Sequence, residues 1–95
     1  MINGDVYRQT MVTLESIEKI LNKCGSSMKY VTNLKIFLTN NTKQRYSQMN
    51  EAYVEFFRSR NLPVPSRITV GCSALALGAD VEIDGSAVMP PRSKM

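Results

Sequence analysis

The sequence predicts an α/β (α+β) fold with two helices packed on one face of a mixed sheet. Three observations predict it. Two stretches repeat apolar residues at spacings of three and four, three segments are rich in β-branched residues or alternate in polarity, and the order is helix, strand, helix, strand, strand. The 95 residues make one domain, 1–95. A domain this small is marginal alone, and a thin sheet leaves an exposed edge that invites pairing with another chain.

The first helix is expected over residues 5–23. Tyr7, Met11, Leu14, Ile17 and Leu21 form its apolar stripe and Ile20 widens it, with Asp5 as the starting cap and Gly25 just past the end. Residues 30–38, Tyr30-Val-Thr-Asn-Leu-Lys-Ile-Phe-Leu38, read as a strand. The polar run Thr39-Asn-Asn-Thr42 supplies cap candidates for a second helix over 43–60. Its apolar face gathers Tyr46, Met49, Tyr53, Phe56 and Phe57, and Pro63 and Pro65 stop it.

Residues 66–73 read as a second strand, with Ile68, Val70 and Cys72 pointing one way and Arg67, Thr69 and Gly71 the other. After a loop containing Gly78, a last strand runs over 80–88. There Val81, Ile83 and Ala87 alternate with Glu82, Asp84 and Ser86. The tail, residues 89–95, is expected to be mobile.

Composition narrows the function. The net charge is +4, but the twelve basic residues are scattered, whereas nucleic-acid binding concentrates positive charge on one face. Histidine is absent, which removes imidazole acid–base chemistry, histidine triads and histidine metal sites. Cys24 and Cys72 are far apart, form no redox or zinc pair, and are expected as buried free thiols in a reducing, cytoplasmic setting. The longest apolar stretch, Ala74 to Ala79, is too short to span a bilayer, so no membrane partner is expected.

Two strand residues stand out, Arg67 and Glu82. Both occupy the polar phase of otherwise apolar strands. If the strands are neighbours, the side chains share a pocket. A guanidinium grips a carboxylate with two hydrogen bonds, and an acid beside it orients or activates water. An ordinary Arg–Glu salt bridge on a solvated sheet face explains the same pattern, and spacing alone leaves both readings open.

Five segments in order carry a resemblance to a known family. Gln9-Thr10 with Leu14, Ile17, Leu21 and Gly25-Ser-Ser is similar to the first helix of the reactive intermediate deaminase (Rid/YjgF) family. Lys35-Ile-Phe-Leu38 looks like the strand that follows. Met49-Asn50, Tyr53 and Phe56-Phe57 resemble its second-helix signature. Pro65-Ser-Arg67-Ile-Thr-Val70 resembles its Pro-x-Arg-Ser/Thr-x-Val motif, and Leu75 to Asp84 its closing strand. The intervals from Asn50 to Arg67 and from Arg67 to Glu82 match as well, and the resemblance covers about residues 4–88.

The resemblance implies a chorismate-mutase-like homotrimer with a pocket at each subunit interface. It also implies hydrolysis of reactive imines or enamines to 2-oxo acids and ammonia without metal or cofactor. Carried over by position, Arg67 binds the substrate carboxylate and Glu82 positions or activates the attacking water. Asn50 lines the pocket, and Thr69 contributes its backbone or hydroxyl. Family members open with a β-hairpin ahead of the first helix. This sequence starts almost at the helix, so a fold truncated at the N-terminus is expected, with a non-catalytic module binding small carboxylates or a protein as the alternative. Some relatives are described as ribonucleases or translation inhibitors, a role that the scattered charge does not favour. Smaller departures are Ala76 at a loop position usually held by proline and Asp84 where glutamate is usual. Ser93-Lys94-Met95 resembles a peroxisomal targeting tripeptide.

Overall fold

Asp5 starts the first helix, α1 (Val6–Lys23), because its carboxylate accepts the Arg8 amide at 2.9 Å, one of the N–H groups a helix start leaves open. Gly25 closes it. At φ +85° it takes the left-handed conformation that glycine adopts without steric cost, and the Ser26 amide turns back to the Leu21 carbonyl at 2.9 Å. The computed structural model describes residues 5–89, so residues 90–95 of the expected mobile tail, with Ser93-Lys94-Met95, lie outside the described residues.

A short 3-10 turn, Met28–Tyr30, leads into the strand β1 (Val31–Thr39). Thr42 caps the second helix, α2 (Lys43–Ser59), by accepting the Arg45 amide at 3.2 Å. The end of α2 comes before either proline: Asn61 turns left-handed at φ 55°, and the Leu62 amide returns to the Phe57 carbonyl. The strand β2 (Ser66–Cys72) follows. A second 3-10 turn, Ala76–Gly78, then precedes the strand β3 (Val81–Ala87).

The sheet order is β2-β1-β3, with β1 parallel to β2 and antiparallel to β3. Helix α2 is the crossover that a parallel pair requires. Both helices cover the face carrying Leu34, Ile36 and Leu38. These pack with Val6 and Leu14 of α1, Met49, Tyr53, Phe56 and Phe57 of α2, and Val81 of β3. Tyr53 and Phe56 each meet Phe57 edge to face at just over 5 Å, an arrangement aromatic quadrupoles favour. Full burial of each such side chain stabilises by about 1.5–3 kcal/mol. The architecture is the expected two helices on a three-stranded mixed sheet.

Several side chains sit elsewhere than the sequence predicts. The buried line of α1 begins with Val6 and Thr10, since the Thr10 hydroxyl bonds the Val6 carbonyl at 2.7 Å and is fully covered. Ile20 is 60% exposed and does not widen the stripe. Cys24, expected as a buried thiol, is exposed, because it lies past the last apolar contact of α1; Cys72 is half-buried, and both are free.

Candidate functional site

Strand β2 enters at Pro65, whose carbonyl accepts the Tyr53 hydroxyl at 2.9 Å. This bond ties the start of β2 to the middle of α2. Two residues on, Arg67 pairs in register with the buried Leu34, so its side chain leaves the sheet on the helix side. There α2 receives it. Arg67 Nη2 donates to Asn50 Oδ1 at 2.6 Å and to the Tyr46 hydroxyl at 2.8 Å, while Nη1 meets the Met49 sulfur at 3.5 Å. The guanidinium lies 4.6 Å from the centre of the Tyr53 ring and 5.4 Å from that of Tyr46, within cation–π range. Burial pushes the Tyr53 phenol up to about 12, against the opposing pull of the Arg67 charge.

Among the described residues no carboxylate pairs with Arg67; the ion pairs are Arg45–Asp80 and Arg60–Glu18. A guanidinium held by neutral partners in a half-covered position keeps its charge available to an anion from outside. Thr69 lies on the same face, paired with Ile36, and its hydroxyl is buried with no hydrogen-bond partner among the described residues. Asn50, Arg67 and Thr69 therefore share one side of the sheet.

Glu82 does not join them. Strands β2 and β3 are not neighbours, since β1 lies between them. Glu82 pairs with Phe37, three residues along β1 from Leu34, and so projects from the opposite face, where it is exposed. The condition for a shared pocket within one chain, that the two strands be neighbours, is therefore not met. The physical reason is that β2 turns its polar phase toward the helices, whereas β3 turns its apolar phase, Val81 and Ile83, that way. Arg67 and Glu82 line different clefts, of about 390 and 430 Å³.

The residues that sequence reasoning missed are Tyr46 and Met49 as partners of the guanidinium, together with the Tyr53 ring. A signal was present: Tyr46, Met49, Asn50 and Tyr53 fall on one helical stripe, and the amide on it marks that face as polar at its rim. Read by periodicity alone, both tyrosines pass for core, which holds for Tyr53 but not for the exposed Tyr46.

A second polar cluster ties the elements together away from this site. The Asp80 carboxylate accepts from the Thr39 hydroxyl at 2.9 Å and from the Gln9 amide at 3.1 Å, and meets the Arg45 guanidinium at 3.2 Å. The hydrogen bond from Thr39, then that from Gln9 and the Arg45 charge, hold the Asp80 carboxyl below its ordinary range despite partial desolvation. Among the described residues no three His, Cys, Asp or Glu side chains converge to hold a metal ion, and no helix is long and apolar enough to cross a membrane.

The chain is similar to known proteins in sequence and fold. The family model described as Endoribonuclease L-PSP matches residues 1–89. Protein DfrA of Myxococcus xanthus is 35% identical over 88 residues, which cover 93% of this chain and 63% of that protein. A RutC family protein of Pyrococcus horikoshii is 31% identical over 87 residues, covering 92% and 65%. The crystal structure of E. coli TdcF with bound serine superposes with a TM-score of 0.86 at 27% identity, over 95% of this chain and 69% of that one. The chain thus spans a little under two thirds of the length of the curated relatives it matches. With the fold, the five motifs and the family model in agreement, the chain belongs to the Endoribonuclease L-PSP family, the RutC and YjgF-like (Rid) proteins that its motifs resemble.

Proposed function

We propose that this chain binds a small carboxylate-bearing imine or enamine at Arg67 and hydrolyses it to a 2-oxo acid and ammonia, with Glu82 supplied by a second copy. The observation that carries the reading is the Arg67 guanidinium, oriented by Asn50 at 2.6 Å and left without an internal carboxylate among the described residues. The serine bound in the TdcF crystal structure supports the substrate class, since serine bears an α-carboxylate.

The chemistry asks little of the protein. An enamine first tautomerises to the imine. Water then adds to the imine carbon while one of its protons passes to the nitrogen. The resulting carbinolamine expels ammonia and leaves the carbonyl of the 2-oxo acid. Holding the carboxylate fixes the imine carbon in place, and a carboxylate base takes the proton from water and returns it to the departing nitrogen. Asn50 orients the guanidinium, and the Thr69 hydroxyl is the buried polar group nearest in sequence to it.

In this reading Glu82 reaches a neighbouring copy's Arg67 through self-association, as a homotrimer with pockets between subunits. The open sheet face supports it: Ile68 is 62% exposed there, beside half-buried Phe37 and Val70, an apolar strip that a second copy would cover. The opposite-face placement of Glu82 favours one alternative, carboxylate binding without turnover by a lone chain.

The test is release of ammonia and 2-oxo acid from freshly generated 2-aminoacrylate, with the particle mass measured alongside. Turnover that disappears in Arg67→Ala supports the deaminase reading. A folded assembly with no rate above buffer overturns it, and ligand uptake by calorimetry without product establishes the alternative.

A further inference from the structure

The geometry points to Tyr46 as a second anchor for the ligand carboxylate, its hydroxyl changing from acceptor to donor as the ligand arrives. The inference rests on the reading of Arg67 as the carboxylate site and deepens it by naming a specificity-determining residue.

A guanidinium carries five N–H groups. Both hydrogens of Arg67 Nη2 are engaged, one by Asn50 Oδ1 at 2.6 Å and one by the Tyr46 hydroxyl at 2.8 Å. One hydrogen of Nη1 meets the Met49 sulfur, a weak acceptor, at 3.5 Å. A carboxylate that grips arginine with two parallel bonds uses Nη2 together with either Nε or Nη1. Either fork therefore needs an Nη2 hydrogen that is already taken, and one partner must yield.

Tyr46 is the partner that yields. Asn50 is half-buried on the central turn of α2, whereas Tyr46 is 39% exposed in its first turns. The Tyr46 hydroxyl accepts from Arg67, and among the described residues its own hydrogen has no acceptor. A ligand oxygen that takes its place on Nη2 arrives beside that unused O–H. A small rotation of the ring then turns the phenol into a donor to the same carboxylate. The N–H bond given up is replaced by an N–H···O⁻ bond to the ligand, and the O–H···O⁻ bond is gained in addition. Bonds of this type are stronger than neutral ones.

This arrangement distinguishes an anion from a neutral carbonyl. A charged carboxylate displaces the hydroxyl from the guanidinium and is then held by both groups. An ester offers a weaker acceptor and leaves the Tyr46–Arg67 bond in place. Tyr46 thus sets the preference for the charged form of the ligand.

The probes are pyruvate and methyl pyruvate, titrated by NMR into the assembled wild-type protein, Tyr46→Phe and Arg67→Ala. Circular dichroism checks that each variant is folded. Tyr46→Phe keeps the ring and removes only the hydroxyl. The expected result is pyruvate binding weakened by about tenfold in Tyr46→Phe, the scale of one hydrogen bond to a charged group, with methyl pyruvate binding unchanged. Unchanged or tighter pyruvate binding in Tyr46→Phe, with binding lost in Arg67→Ala, overturns the role of Tyr46 and leaves the Arg67 reading standing. An equal loss for pyruvate and its ester makes Tyr46 a packing residue and overturns the proposal too. Pyruvate binding that survives Arg67→Ala, or is absent from the wild type, overturns the Arg67 reading together with this one.

Discussion

Arg67 and Glu82 leave the sheet on opposite faces, Arg67 against Asn50 of α2 and Glu82 into solvent on the far side of β1. One chain therefore does not bring its guanidinium and its acid to a common ligand. A site containing both takes one residue from each of two copies, and that has a consequence for mixtures of inactive variants.

Arg67→Ala and Glu82→Gln are each expected to lose deaminase turnover when assembled alone. Unfolded together and refolded as mixed assemblies, they are expected to recover it. If each site in a ring draws Arg67 from one subunit and Glu82 from the next, random mixing restores both groups in about a quarter of the sites. The measurement is 2-oxo acid release from the mixture against each variant alone. No recovery in mixtures whose exchange is verified by mass spectrometry would show that the two residues do not form a shared site.

Much of the fold was legible because local signals agreed with one another. Asp5, Thr42 and Gly25 sit where caps are needed, and Met49, Tyr53, Phe56 and Phe57 of the expected α2 face are core, while Tyr46 at its start is exposed. The site was legible only in part. Asn50 and Arg67 do meet, but the face on which each strand projects its polar phase depends on what packs above it. Arg67 lies under α2 because Asn50, Tyr46 and the Tyr53 ring satisfy a charge there, while Ile68 and Val70 of the same strand face outward. Alternation in β2 carries no mark of that inversion. Strand order is likewise a tertiary fact: nothing in the 80–88 segment says that it pairs with β1 and not with β2.

The cluster at Asp80 predicts an acid-side loss of stability. Thr39 and Gln9 bond its carboxylate and Arg45 faces it, so the folded state holds the Asp80 carboxyl below its ordinary value of 3.8. The unfolded chain then takes up the proton first as pH falls. The contribution is whole above 3.8 and fades as pH drops through the lower folded value. Because the side chains of Arg45 and Asp80 are 27% and 38% exposed, the ion pair itself is worth at most about 1 kcal/mol. Urea unfolding of Asp80→Asn, at fixed protein concentration, is expected to show a lower midpoint than wild type near neutrality. The gap should narrow as pH falls below 3.8. A gap independent of pH would mean that the charge of Asp80 plays no part in it.

Tyr53 predicts the opposite end of the pH scale. Its ring is buried beneath Arg67, and its hydroxyl donates to the Pro65 carbonyl at 2.9 Å, fixing the entry to β2. Burial raises its pKa from 10.0 to about 12, with the Arg67 charge pulling the other way. A raised folded value means that the folded state keeps the phenol protonated while the unfolded chain ionises. The contribution of Tyr53 is therefore whole below 10.0 and is lost as pH rises through about 12. Tyr53→Phe retains the aromatic packing against Phe57 and removes the hydroxyl. It is expected to destabilise the fold by about 1 kcal/mol at neutral pH, the scale of one lost hydrogen bond that leaves a carbonyl less satisfied. It is also expected to remove the ultraviolet phenolate step that burial of Tyr53 predicts for the wild type near pH about 12. Because the same hydroxyl anchors the residue two positions before Arg67, the variant should bind pyruvate more weakly as well. A variant that keeps both the alkaline step and full pyruvate affinity would show that the Tyr53–Pro65 bond neither titrates as described nor positions the guanidinium.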